Sequence, residues 1–256
     1  MSMFTAADRQ ARVLRRRLLY AVVGVGLVVA AIVIGLTGLG VGVNRDRPAD
    51  VPLDGVPPAA SSSTGPATPS TGAWVVPPVS AGPLILPPPA GTARGVPVGF
   101  PHTVPGAISA AARYAETAVG LDETRARTVG EVAGAPSYPS AADDFAHGVR
   151  IASSTLGVQP GDAGIGAYLT FQARAYRVVD AGADRALIHV LGIADGAGPA
   201  TSGQGRQAVS VAAYTMVWAD GDWKIDGGTD LEEPQPLPAP GSAQAYERGW
   251  RDLAIA

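Results

Sequence analysis

Val217-Trp218-Ala219-Asp220-Gly221-Asp222-Trp223-Lys224-Ile225 is the stretch that decides the fold of this chain. Asp-Gly between two apolar runs signals a tight hairpin, because both central residues of the favoured two-residue turn need positive φ. Such a loop pairs Ala219 with Asp222, Trp218 with Trp223 and Met216 with Ile225. Side chains alternate along a strand, so Trp218, Trp223, Met216 and Ile225 share one face. The other face takes Val217 beside Lys224 and Thr215 beside Asp226. Register and apolar pattern agree, and a cross-strand Trp–Trp pair adds roughly 0.2–1 kcal/mol.

Working upstream, the period of two persists. Strands are expected over Gln207–Ala219, Arg185–Ile193 and Ala167–Val179, the last with Leu169, Phe171, Ala173 and Ala175 on one side. A turn over Asp180–Asp184 and a glycine-rich loop over Ala194–Gly205 separate them. Earlier still the period becomes helical. Pro105 suits a first turn, Ile108, Ala111, Ala115 and Val119 follow at helical spacing, and Gly120 stops the run. Leu121–Val132 is charged and ambiguous, a short helix at most. A clearer helix starts at Ser140 and ends at Gly157, with Phe145, Val149, Ala152 and Leu156 on one face. Asp143 and Asp144 favour its N-terminus electrostatically. Helices followed by an antiparallel meander make an α+β layer pattern.

The third long strand is apolar on its second face too, at Val209, Val211, Ala213 and Val217, so something should cover that face. Two candidates are open, the C-terminal tail and another subunit. The tail runs through Leu231-Glu232-Glu233-Pro234 to a helix expected from Ser242, with Tyr246, Trp250 and Leu253 on one face. It docks on its own domain or on a partner.

Ahead of the domain lie two other kinds of segment. Leu18–Val43 is uncharged and apolar for 26 residues, long enough to cross a bilayer core of ~30 Å. It is too long for the apolar core of a cleaved signal peptide. Arg9, Arg12, Arg15, Arg16 and Arg17 precede it, which places the N-terminus in the cytoplasm. The expected layout is a basic cytoplasmic tail at 1–17, a transmembrane helix at 18–43, a Pro/Ser/Gly-rich disordered linker at 44–95, an extracytoplasmic domain at 96–230 and a Pro-rich tail with a short helix at 231–256. Within the linker, Leu84-Ile85-Leu86 has the alternative of docking on the domain.

Charge and composition then exclude several functions. The part after the anchor carries fourteen basic against twenty-one acidic residues, and a net charge of −7 disfavours direct nucleic-acid contact. Absence of cysteine removes disulfides, lipoprotein anchoring and zinc-thiolate sites. Eighteen arginines against one lysine match a high-GC bacterial composition.

The Trp218 to Trp223 hairpin, with helices ahead of the sheet, resembles the closing hairpin of NTF2-like (cystatin-like) domains over about Pro105–Asp226. Anchor and spacer extend the resemblance to the bitopic NTF2-like, VirB8/TcpC-like subunits of conjugation and type IV secretion machines. Gly99-Phe100-Pro101-His102-Thr103 also resembles membrane proteins of actinobacterial conjugative elements. Such relatives often carry two NTF2-like domains, whereas this chain has room for one. The resemblance implies a single-pass cell-membrane protein whose exported domain scaffolds an assembly. Expected partners are membrane lipid through residues 18–43, other envelope or conjugation-machine proteins and further copies of the chain. No nucleic acid, small-molecule substrate, cofactor or metal is expected. The alternative is a surface-tethered NTF2-like ligand-binding domain or enzyme.

NTF2-like enzymes use His, Asp or Tyr as general acids and bases in a pocket between helices and sheet. The residues of those types here are Asp144 and His147 on a helix, Tyr168 and Tyr176 on the first long strand, and His189 on the second. Asp144 and His147 are helix neighbours, which a surface carboxylate–imidazole pair explains equally well. His102 lies in a Pro-flanked lead-in and is expected to be structural. No catalytic role is assigned to any residue. A pocket filled by Trp218, Trp223 and Phe145 would argue against the enzyme.

Overall fold

The Asp220-Gly221 turn forms with φ of +54° and +77°, the positive pair that a two-residue hairpin demands. Around it the computed structural model describes residues 82–159, 166–228 and 233–254. The expected tail at 1–17, the transmembrane helix at 18–43 and the spacer before residue 82 lie outside the described residues.

The described chain is an α+β fold. A small hairpin, β1 (Gly91–Ala93) and β2 (Val96–Val98), leads to three helices: α1 (Val104–Ala118), α2 (Glu123–Ala133) and α3 (Ala141–Leu156). Then come β3 (Tyr168–Ala181), β4 (Arg185–Ala197), a 3-10 turn at Pro199–Thr201, β5 (Arg206–Ala219) and β6 (Asp222–Gly228). A short helix α4 (Ala243–Glu247) and a two-residue strand β7 (Arg251–Asp252) finish it. The main sheet has the order β6-β5-β4-β3-β7 and is antiparallel throughout.

Local chemistry explains the helix ends. Thr103 caps α1 by accepting from the Gly106 amide at 3.1 Å, with Pro105 in the first turn. Asp122 does the same for α2 through Arg125 N, which turns the ambiguous charged stretch into a helix. Gly157 ends α3 in the left-handed conformation at φ +74°. Where α2 crosses α3, a Cβ on Gly130 would lie 2.5 Å from Ala142 Cα, so glycine is what permits that approach.

One face of the sheet packs under the helices. Tyr114, Phe145, Phe171, Tyr214, Met216, Trp223 and Ile225 all lie in one buried core there. The hairpin register is the expected one from Ala219/Asp222 to Met216/Ile225, and the two tryptophan rings meet edge to face at 5.6 Å. Beyond that point the expectation fails. Thr215 pairs with Gly227 rather than Asp226, because Asp226 is an extra residue in a bulge.

A second bulge has larger consequences. Ala173 pairs with Gly192 and Ala175 with Leu191, leaving Arg174 unpaired. The inserted residue reverses the alternation, so Ala175 leaves the face of Leu169, Phe171 and Ala173, and Tyr176 enters it. β4 also runs on to Ala197, absorbing the first part of the expected glycine-rich loop.

The fold starts before the expected boundary at residue 96. The Ser109 hydroxyl donates to Pro87 O at 2.7 Å, β1 and β2 pair, and Leu84 bridges Leu253. The end of the expected linker is therefore part of the packed domain. The tail is as well. Its helix stops at Glu247, so Tyr246, Trp250 and Leu253 do not share a helical face. Tyr246 is exposed, Trp250 is buried on one side of the sheet, and Leu253 joins the core on the other.

Candidate functional site

The face of β3–β5 turned away from the helices is covered by the chain's own C-terminal segment, one of the two covers its apolar pattern calls for. Ala175, Leu191 and Val211 form a separate small core with Ala245 and Trp250, flanked by Val209 and Leu237. We call residues 233–254 the strap.

Under the strap lies a compact group of charged side chains. Arg177 on β3 and His189 on β4 are register partners, with Arg177 Nη2 3.1 Å from His189 Nδ1. The bulge at Arg174 brings Arg177 to this face; unbroken alternation from Leu169 would turn it toward the helices. Glu233, at the start of the strap, accepts from Arg177 and lies 3.1 Å from His189 Nδ1 through the same oxygen. The Glu233 side chain is only 5 % exposed. Arg177 also donates to the Arg248 carbonyl at 3.2 Å, and its guanidinium sits 4.9 Å from the centroid of the Trp250 ring. Arg248 in turn reaches the carbonyls of Pro234 and Pro236. Burial holds the His189 imidazole below its ordinary pKa; the Glu233 hydrogen bond opposes the shift and the Arg177 charge adds to it. Glu233 Oε2 and Trp250 Nε1 are buried without a hydrogen-bond partner among the described residues.

The other sequence candidates do not gather here. Asp144 is buried and accepts from the hydroxyls of Tyr138 at 2.9 Å and Ser140 at 2.8 Å, whereas His147 is exposed. No hydrogen bond or ion pair joins Asp144 to His147 among the described residues, so Asp144 anchors the start of α3 instead. Tyr168 is a surface residue bonded to Asp195 at 2.9 Å, which holds its hydroxyl above the ordinary pKa. Tyr176 lies in the core under the helices, also raised, chiefly by burial. His189 faces the opposite side of the sheet from Tyr176. His102 stacks on Trp218 at 3.9 Å and bonds Asp184 at 2.9 Å, fastening the lead-in to the β3–β4 turn. Thus the five acid–base candidates are spread over both sheet faces and the surface.

Sequence reasoning missed Arg177, Glu233 and Trp250 as a group. A signal existed: a polar pair on a face expected to be covered needs a counter-charge, and Glu232-Glu233 heads the segment expected to cover it. The bulge hid Arg177, because counting by twos puts it on the wrong side.

No curated protein and no solved structure matches the chain. A family model described as a domain of unknown function (DUF8175) matches residues 87–246, a span that takes in the β1–β2 hairpin, helices α1 to α3, strands β3 to β6 and Glu233. The chain therefore belongs to that family.

Proposed function

We propose that this is an NTF2-like domain held outside the cell membrane by the apolar segment 18–43 and acting as a non-catalytic assembly subunit, within a conjugative DNA-transfer (type IV secretion-like) apparatus. One observation carries the reading. The space between helices and sheet is filled by Tyr114, Phe145, Phe171, Tyr214 and Trp223, each at most 5 % exposed. The Tyr114 hydroxyl spends its hydrogen bond on Trp223 O at 3.1 Å, inside that core. Filled space favours a module that presents surfaces over one that encloses a substrate. The net charge of −7 beyond the anchor favours protein over DNA as the contact.

The test is site-specific photo-crosslinking of the full chain in its own cells, from exposed positions such as Ile85 and Tyr246. Amine-reactive reagents suit this chain poorly, since its one lysine, Lys224, bonds Val132 O and faces Asp222 at 3.6 Å. Expected products are adducts with further copies of the chain and with other envelope proteins. Recovery of uncrosslinked monomer from every position would sink the scaffold reading. Saturable binding of a small molecule that quenches Trp223 would shift support to the ligand-binding alternative.

A further inference from the structure

The scaffold reading makes no use of the charged group under the strap, whose charges add up in an unusual way. With the His189 imidazole neutral, the Arg177 guanidinium and the Glu233 carboxylate cancel. One added proton leaves a net positive charge at a place where the His189 and Glu233 side chains are 10 % and 5 % exposed. Burying uncompensated charge is costly, and the added charge sits 3.1 Å from a guanidinium nitrogen. The groups facing His189 can be named element by element. From β3 comes Arg177; from β5 comes Ala213, its uncharged register partner. From the strap come Glu233, the Trp250 ring at 6.4 Å, and Arg248, whose guanidinium turns away to Pro234 and Pro236. Glu233 is thus the one acidic group, among the described residues, that meets this imidazole.

Two further observations make the strap separable from the body. Its apolar anchors Ala245 and Trp250 belong to a small core distinct from the one under the helices. Its firm attachment is confined to its end, where Arg251 and Asp252 pair with β3, the Leu253 amide donates to Arg174 O at 2.8 Å and the Leu253 side chain joins the core under the helices, so the part that can lift is residues 233–250. Locally cooperative units of this kind open without unfolding the whole domain.

We propose that the strap is a proton-sensitive cover: it closes over β3–β5 while His189 is neutral, and protonation of His189 opens it and bares the apolar strip of Ala175, Leu191 and Val211. The sign follows from linkage. His189 is held below its free value when the strap is closed, so closure is fully favoured above about pH 6.5 and is lost as pH falls through the lower closed-state value. The bared strip would then be available to a neighbouring molecule.

Hydrogen exchange of the full chain, read by mass spectrometry at about pH 7.5 and about pH 5 and corrected for intrinsic rates, tests this across the range in which histidine titrates. Amides of the strap should exchange severalfold faster in acid while those of α1 and β4 keep their protection. His189→Gln, neutral at both pH values, should keep the strap protected at both. Glu233→Gln should expose it at both. Equal strap protection in the unaltered chain at the two pH values overturns the proposal. So does an acid response that survives in His189→Gln, or loss of protection in α1 and β4 in step with the strap.

Discussion

The two faces of the main sheet each bury a tryptophan, and they do so on different terms. Trp223, under the helices, is fully buried, donates its indole N–H to Pro101 O at 2.9 Å, and packs in a core that runs through all three long helices. Trp250, carried by the strap, is equally buried, but its indole N–H has no acceptor among the described residues, and its core has few members. Beside its apolar neighbours, its ring meets the Arg177 guanidinium at 4.9 Å and the His189 ring at 6.4 Å. The helix-covered face is built as a permanent interior. The strap-covered face is closed by a short segment and a carboxylate, a weaker closure that depends on charge.

The contrast can be broken most directly at its strong side. Trp223→Ala removes a fully buried ring and should cost about 3–5 kcal/mol of global stability, seen as a lower urea midpoint for every probe of the fold. If only the strap loosened, the assignment of the permanent core would be wrong. Glu233→Gln deletes the charge that Arg177 and His189 share and should weaken the closed strap by about 1.5–3 kcal/mol, with strap amides exchanging faster and the helix–sheet signals unmoved. A matching loss of global stability would erase the distinction between the faces. Thr103→Ala takes the cap from α1 and should cost about 1 kcal/mol, visible in thermal unfolding and not in strap protection. Asp143→Ala removes an exposed partner of Arg127 and should leave the thermal midpoint close to that of the unaltered chain. A clear drop there would mean that α2 and α3 lean on their surface ion pairs rather than on the Gly130 contact.

Much of the helix-covered face was legible in the sequence because periodicity and turn chemistry point the same way there. Pro105, Gly120, Ser140 and Gly157 bracket α1 and α3 to within a residue or two of their ends, and Asp220-Gly221 sets the hairpin register. The misses share one cause. Bulges at Arg174 and Asp226 are single-residue departures from alternation that leave no compositional mark, and each moves its neighbours to the opposite face. The strap-covered face was legible only in outline. Apolar residues on the outer side of β5 announced a cover, but the partner of His189 lies 44 positions away in the tail. The extra turns expected of the C-terminal helix failed at Gly249, whose φ of +84° redirects the chain so that Trp250 and Leu253 fall on opposite sides of the sheet.

Leu84 and Leu253 bridge in parallel just outside β7, so the two ends of the described chain meet along one margin of the sheet. Leu84 is followed closely by Pro87-Pro88-Pro89 and preceded by Pro83, none of which offers an amide proton. The prolines thin out the row of amide donors on this margin, so it offers few hydrogen bonds to an added strand. At this margin, neighbouring copies of the domain find few free amides to pair with, which disfavours edge-to-edge strand addition there.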